Sequence, residues 1–188
     1  PKLGEINIHP SLLPKYRGPS PIQSAILNGD KKTGVTFIKM DKEIDHGPII
    51  YQFEEVILET DTFETLAKRL FEKSAEAITD VVKRFGKDQT AKEQDDSKAT
   101  FTKQLSKQDG YIDLSNPPSL EKLNLMIRAY YPWPGVRLKF ELNGKDEVII
   151  KLLPEEKIQV EGKSPMSYKD FINGYPNGKT FLQMLSLI

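Results

Sequence analysis

The 188-residue sequence contains no cysteine and only two histidines, His9 and His46. Disulfide frameworks and thiol chemistry are therefore excluded, and a metal would have to be held by oxygen ligands and at most two imidazoles, so no metal is expected. The absence of thiols fits a reducing compartment, and a cytoplasmic location is the default expectation. No apolar run approaches the roughly 18–20 residues that cross a bilayer as a helix. No basic stretch followed by an apolar one stands at the N-terminus, so neither a signal peptide nor a membrane partner is expected. Charge has no overall sign, 27 Lys+Arg against 27 Asp+Glu, which argues against non-specific attraction to nucleic acid. The distribution is uneven, however: residues 1–97 carry 14 basic and 17 acidic side chains, residues 98–188 carry 13 and 10. The mildly basic second half suits a polyanion-facing surface or ordinary scatter, and composition does not separate the two.

What is present is an ordinary globular mixture, 38% hydrophobic and 29% charged, long enough for one sizeable core or two small ones. Residues 4–8 alternate and end at His9-Pro10, which predicts a short strand whose end delivers polar groups. After a Pro/Gly-rich loop, 21–29 reads as a short helix with proline in its first turn and Gly29 at its stop. Two β-branched and aromatic runs, "TGVTFIKM" (33–40) and "PIIYQFEEVIL" (48–58), read as strands flanking the polar loop 41–47. From Thr62 to Phe85, apolar residues at steps of three and four predict a helix, with Asp61 and Glu64 as its capping box and Gly86 as its stop. Residues 87–104 are polar and aperiodic and read as a linker, giving domains at 1–86 and 105–188. In the second, Asn116-Pro117 starts a helix over 117–131 with Leu120, Leu123, Ile127 and Tyr130 on one face. "VRLKFEL" and "EVIIKLL" form a hairpin around Asn143-Gly144, 157–162 adds a strand and 167–175 a short helix. Trp133, between two prolines, is expected in the core.

Asn7, His9 and Asp45 fall on strand ends or the loop between strands, where an open α/β sheet collects reactive groups. Together they would suit attack of a neutral nucleophile on a carbonyl, because an amide and an imidazolium can donate to a developing oxyanion and a carboxylate can orient the ring. Spacing leaves a second reading open, in which Asn7 and His9 satisfy backbone groups and Asp45 makes an Asx turn.

The combination Asn7-x-His9-x-Ser11-Leu12-Leu13-Pro14, Arg17-Gly18, Thr33-Gly34-Val35-Thr36 and Asp45-x-Gly47 resembles the core of the folate-dependent formyltransferases. "QLSKQDGYIDLS" (104–115), "IRAYYPWPG" (127–135) and "EGKSPMSYKDFINGY" (161–175) are similar to the branch of that family acting on methionyl-tRNA. The resemblance implies an α/β chain: the C-terminal half of a Rossmann-like formyltransferase domain, then a small abbreviated OB-like tRNA-binding domain. It implies formyl transfer from 10-formyltetrahydrofolate, as co-substrate, to the amine of initiator methionyl-tRNA. The reacting residues would be Asn7, a protonated His9 and Asp45, with Ser11, Leu12, Leu13, Pro14, Arg17 and Gly18 shaping the substrate site. His46 stands where that branch often has Thr, and is expected at the surface or behind the trio. The alternatives are an aminosugar formyltransferase, disfavoured by "GKSPMSYKDF", and a non-catalytic remnant that holds tRNA or a protein.

Two departures bear on activity. The family's early parallel strands have no counterpart before Glu5, so the chain is expected to be inactive alone and to associate through an exposed sheet edge. In the second domain only residues 154–160 separate "EVIIKLL" from "EGKSPM", so an open or partial barrel is expected, with Lys139, Lys151 and Lys163 as scattered basic groups.

Overall fold

Thr33 to Ile38, six consecutive residues, are buried, so the strand they form has both faces covered. A β-branched and aromatic run of this length favours such a strand. A computed structural model describes residues 4–85, 91–142 and 147–188, in two units, Pro1–Leu105 and Ser106–Ile188.

In the first unit, β1 (Ile6–His9), β2 (Lys32–Lys39) and β3 (Ile49–Val56) form a three-stranded sheet in the order β1-β2-β3. Both pairings are antiparallel, with Asn7 opposite Ile38 and His9 opposite Thr36. The α/β class stands, built here on an antiparallel meander. Helices α1 (Pro21–Leu27) and α2 (Phe63–Phe85) pack against β2. Leu66, Leu70, Ser74 and Val81 are the buried face of α2, whereas Phe71 and Val82, part of the same three-and-four periodicity, are half exposed. Periodicity identified the helix but overstated its buried stripe. The capping box lies one residue later than expected: Thr62 N donates to Thr65 Oγ1 at 3.0 Å and Thr65 N to Thr62 Oγ1 at 3.3 Å. Asp61 is engaged instead with Arg69.

The segment expected as a linker behaves differently in its described part. Lys92 and Ile49 exchange backbone hydrogen bonds of 2.8 and 2.9 Å, and Arg17 pairs with the Thr100–Thr102 backbone. Residues 91–102 are a strap across the first unit. Backbone pairing with loops distant in the sequence holds them, which hydrophobic periodicity cannot register.

The second unit holds α3 (Leu120–Tyr130), β4 (Val136–Phe140), β5 (Val148–Leu153), β6 (Lys157–Val160), β7 (Met166–Ser167), α4 (Tyr168–Gly174) and α5 (Gly178–Met184). Ser119, whose hydroxyl accepts from Lys122 N at 3.3 Å, caps α3 in place of the expected Asn116-Pro117. The strands form an antiparallel meander in the order β4-β5-β6-β7. Among the described residues β4 and β7 do not pair with each other, so the sheet is open, and the far side of β4 carries an isolated parallel bridge between Arg137 and Tyr111. Val136, Leu138, Ile150, Leu152, Ile158 and Val160 alternate into its core. Phe181 of α5, a helix not expected from the sequence, meets Phe140 at 4.9 Å and Phe171 at 5.6 Å between centroids. Gly178 permits this approach: a Cβ there would stand 2.8 Å from Phe171 O. Trp133 is 47% exposed, so its expected core position is not realised. The expected Gly86 stop and Asn143-Gly144 turn lie outside the described residues.

Candidate active site

The end of β1 carries Asn7 and His9, and the loop between β2 and β3 brings Asp45 to them. Asn7 Nδ2 donates to Asp45 Oδ1 at 2.9 Å, and His9 Nδ1 lies 3.4 Å from Asp45 Oδ2. Gly18 N donates to the same Oδ2 at 2.8 Å. The three residues proposed on separated motifs therefore form one cluster, and Asp45 is its hub rather than an isolated Asx turn. Asp45 has φ +50°, a left-handed conformation that costs a non-glycine residue about 1–2 kcal/mol. The loop after it needs Gly47, because a Cβ at that position would stand 1.8 Å from Lys39 O.

His9 is 4% exposed, and its Nε2 lies 2.8 Å from Tyr16 O. A carbonyl only accepts, so Nε2 carries the hydrogen, and Nδ1 is the nitrogen that faces Asp45. Burial pushes the imidazole below its ordinary value, and the Asp45 charge and the Tyr16 hydrogen bond oppose but do not outweigh it. Burial and the Asp45 charge thus act on the ring in opposite directions. His46 behaves oppositely. Its hydrogen bond to Asp41 (Nδ1 to Oδ2, 2.6 Å) raises it, burial opposes, and Asp96 at 3.3 Å adds to the rise. An NMR pH titration of the two imidazoles is expected to resolve His9 titrating below the ordinary histidine value and His46 above it.

The loop residues divide by burial. Ser11, Leu13 and Arg17 are buried and make hydrogen bonds within the chain that shape the loop. Ser11 Oγ donates to Lys15 O at 2.6 Å. Leu13 N donates to Thr36 Oγ1 at 3.1 Å, and that hydroxyl donates onward to Ser11 O at 2.6 Å. Gln52 Nε2 adds bonds to Leu13 O and Thr36 Oγ1. Leu12, Pro14 and Gly18 are half-buried, and Leu12 occupies the space that Gly34 leaves by having no Cβ. Gly18, at φ +104°, passes so close to Thr102 that a Cβ would meet its carbonyl at 2.9 Å.

Tyr16, Thr36, Gln52, Gln94 and Thr100 are the contributors that sequence reasoning did not single out. Thr36 lay inside a quoted motif. Gln94 and Thr100 had no signal, because their partners are more than forty residues away in sequence. Among the described residues no group of three or more His, Asp or Glu could hold a metal, and no helix is long and apolar enough to cross a membrane.

Residues 1–82 match the family model described as formyl transferase. The methionyl-tRNA formyltransferase of Thermotoga neapolitana is 46% identical over 78% of this chain and 46% of its own length. That of Koribacter versatilis is 38% identical over 99% of this chain and 68% of its own. The chain belongs to the methionyl-tRNA formyltransferase family, and it spans about half the length of several curated relatives it matches. Among solved structures, a 4-N formyltransferase from Francisella tularensis is 27% identical with a TM-score of 0.65, over 80% of this chain and 62% of that one. HypX from Aquifex aeolicus, solved in complex with tetrahydrofolic acid, shares the fold at 17% identity and a TM-score of 0.63, over 86% of this chain and 33% of that one.

Proposed function

We propose that the chain provides the reacting centre for formyl transfer from 10-formyltetrahydrofolate to the amino group of initiator methionyl-tRNA. The observation that carries this reading is the convergence of Asn7, His9 and Asp45 on one carboxylate, in a chain whose curated relatives bear that enzyme's name. In the reaction the amine nitrogen attacks the formyl carbon, the C–N bond to the folate breaks, and one proton passes from the amine to the departing folate nitrogen. Asn7 Nδ2 spends one hydrogen on Asp45 and offers its second to the tetrahedral oxyanion. His9, when protonated, adds positive charge beside the oxyanion, and Asp45 assists the passage of the proton from the amine to the departing folate nitrogen. Asp45 also stabilises the imidazolium, because an adjacent negative charge favours the protonated ring.

The folate half of the reaction needs a pterin pocket. We assign residues 1–86 to the C-terminal half of a Rossmann-like formyltransferase domain that regions of the longer relatives outside the match would complete, so the chain alone turns over poorly. Among the described residues β1 pairs with β2 alone, and its other edge would be the place for such a complement or a second copy to pair. The second unit serves as a shortened OB-like tRNA-binding domain. On its sheet Arg137 stands opposite Lys151, an unfavourable pairing for the fold alone that suits a phosphate backbone. The aminosugar alternative is supported by a solved sugar N-formyltransferase from Shewanella that is 27% identical to this chain, below the 46% and 38% of the two methionyl-tRNA formyltransferases.

The test replaces the matching region of the Thermotoga neapolitana relative with this chain and assays 10-formyltetrahydrofolate with methionyl-tRNA. The chimera is expected to formylate methionyl-tRNA and the isolated chain to do so at no useful rate. A folded chimera without activity, or one preferring an aminosugar nucleotide, would overturn the reading.

A further inference from the structure

Asp45 lies in a loop, in a left-handed conformation, with its carboxylate shared by Asn7 and Gly18 N. No regular element holds its backbone. What does hold it comes from the strap. Gln94 Nε2 donates to Asp45 O and to Gly47 O, both at 2.8 Å. Gln94 Oε1 accepts from Arg17 Nε at 3.1 Å and Nη2 at 2.8 Å. Both amide hydrogens and both lone pairs are thereby used, the full capacity of the group. Arg17 is 3% exposed, and its Nη2 also donates to Asp96 Oδ1 at 2.7 Å. One neutral side chain thus ties the loop carrying Asp45 to the loop that supplies Gly18 N and Tyr16 O to the same cluster.

We propose that Gln94 is a positioning residue for Asp45: its amide clamps the Asp45–Gly47 backbone to Arg17 and so aims the carboxylate between Asn7 and His9. The proposal rests on reading Asn7, His9 and Asp45 as the reacting trio. Gln94 touches neither the imidazole nor any reacting atom and acts only through the direction it gives Asp45. Two bonds to consecutive-turn carbonyls restrain a backbone that would otherwise relax out of the left-handed region, and a shift of the carboxylate by about 1 Å is enough to weaken such a site severely. Glutamate at this position would keep the acceptor for Arg17, but would turn a carboxylate toward the two carbonyls. It separates anchoring of the strap from aiming of Asp45.

The experiment is a double-mutant cycle on the 188-residue chain, read as the NMR titration of His9, one of only two histidines. In the native background Asp45→Asn is expected to lower the His9 value by about one unit, because it removes an opposing charge at close range. Asparagine tolerates the left-handed backbone, so the fold is kept. In the Gln94→Glu background the same change is expected to give less than half that shift. Gln94→Met, which removes donors and acceptor without adding charge, should repeat the result and decides the matter if the glutamate variant fails to fold. An undiminished Asp45→Asn shift in the folded variants would overturn the proposal. In the active chimera, Gln94→Glu should lower kcat about tenfold with KM for methionyl-tRNA nearly unchanged. A chimera that is inactive although the cycle shows the coupling would overturn the reaction reading and leave the positioning role intact. An active chimera with no coupling would do the reverse.

Discussion

Asn7→Ala and Asp45→Asn are each expected to lower formyl transfer by the chimeric enzyme about a thousandfold while leaving tRNA binding within a factor of two of native. The magnitude is that of removing a preorganised oxyanion donor or the group that stabilises a catalytic imidazolium. Asn7 Nδ2 and Asp45 Oδ1 are 2.9 Å apart, so each variant also disturbs the other residue, and their effects will not add. Asp45→Asn has the further merit of sparing the left-handed backbone, so loss of activity is not confused with loss of the loop. Single-turnover formylation, with filter binding of tRNA alongside, measures both quantities. Activity retained within tenfold in both variants would show that these side chains are not the reacting groups, and the Asx-turn reading of Asp45 would return.

The largest expected effect on stability lies away from this cluster. Asp61, 3% exposed, accepts from Leu58 N at 2.8 Å, Thr65 Oγ1 at 3.0 Å, and Arg69 Nη1 at 2.9 Å and Nη2 at 2.5 Å. Arg69 continues to Glu55 Oε1 and Val56 O, both at 2.9 Å, so the network binds the end of β3, the turn after it and the first turns of α2. Asp61→Ala removes the main partner of Arg69 and the carboxylate that accepts from Leu58 N, and is expected to cost about 3–5 kcal/mol, read as a fall in the urea midpoint. Asp61→Asn keeps one acceptor oxygen and should cost less. Burial pushes the Asp61 carboxyl up, but the bonds from Arg69, Leu58 N and Thr65 outweigh it and hold the group below its ordinary value. A depressed carboxyl contributes stability that is present above the unfolded carboxylate range and lost as pH falls through the folded value. The native chain should therefore lose stability on acidification below that range, and Asp61→Asn should flatten this part of the profile.

The elements that could be read from the chain are those that local chemistry dictates. The buried run of β2, the β1 end at His9-Pro10, the long amphipathic α2 and the hairpin strands β4 and β5 follow from pleat or helix periodicity, which neighbouring residues set for themselves. So does the expectation that Asn7, His9 and Asp45 matter, because separated motifs in order are a property of the sequence. Other features depend on partners far along the chain. Thr62 and Thr65 won the cap of α2 because Asp61 was drawn to Arg69. Trp133 was left half exposed, and the last helix formed because Gly178 lets it approach Phe171.

The same division runs through the site. The sequence by itself determined which polar side chains stand at the end of β1 and in the loop before β3, and that no thiol takes part. Only the tertiary structure decided that His9 is buried against Asp45, that Tyr16 O takes its Nε2 hydrogen, and that a polar stretch with no periodicity is a strap holding Asp45 through Gln94. Burial and long-range hydrogen bonds are sums over neighbours that the fold brings together, and no local pattern in the chain records them.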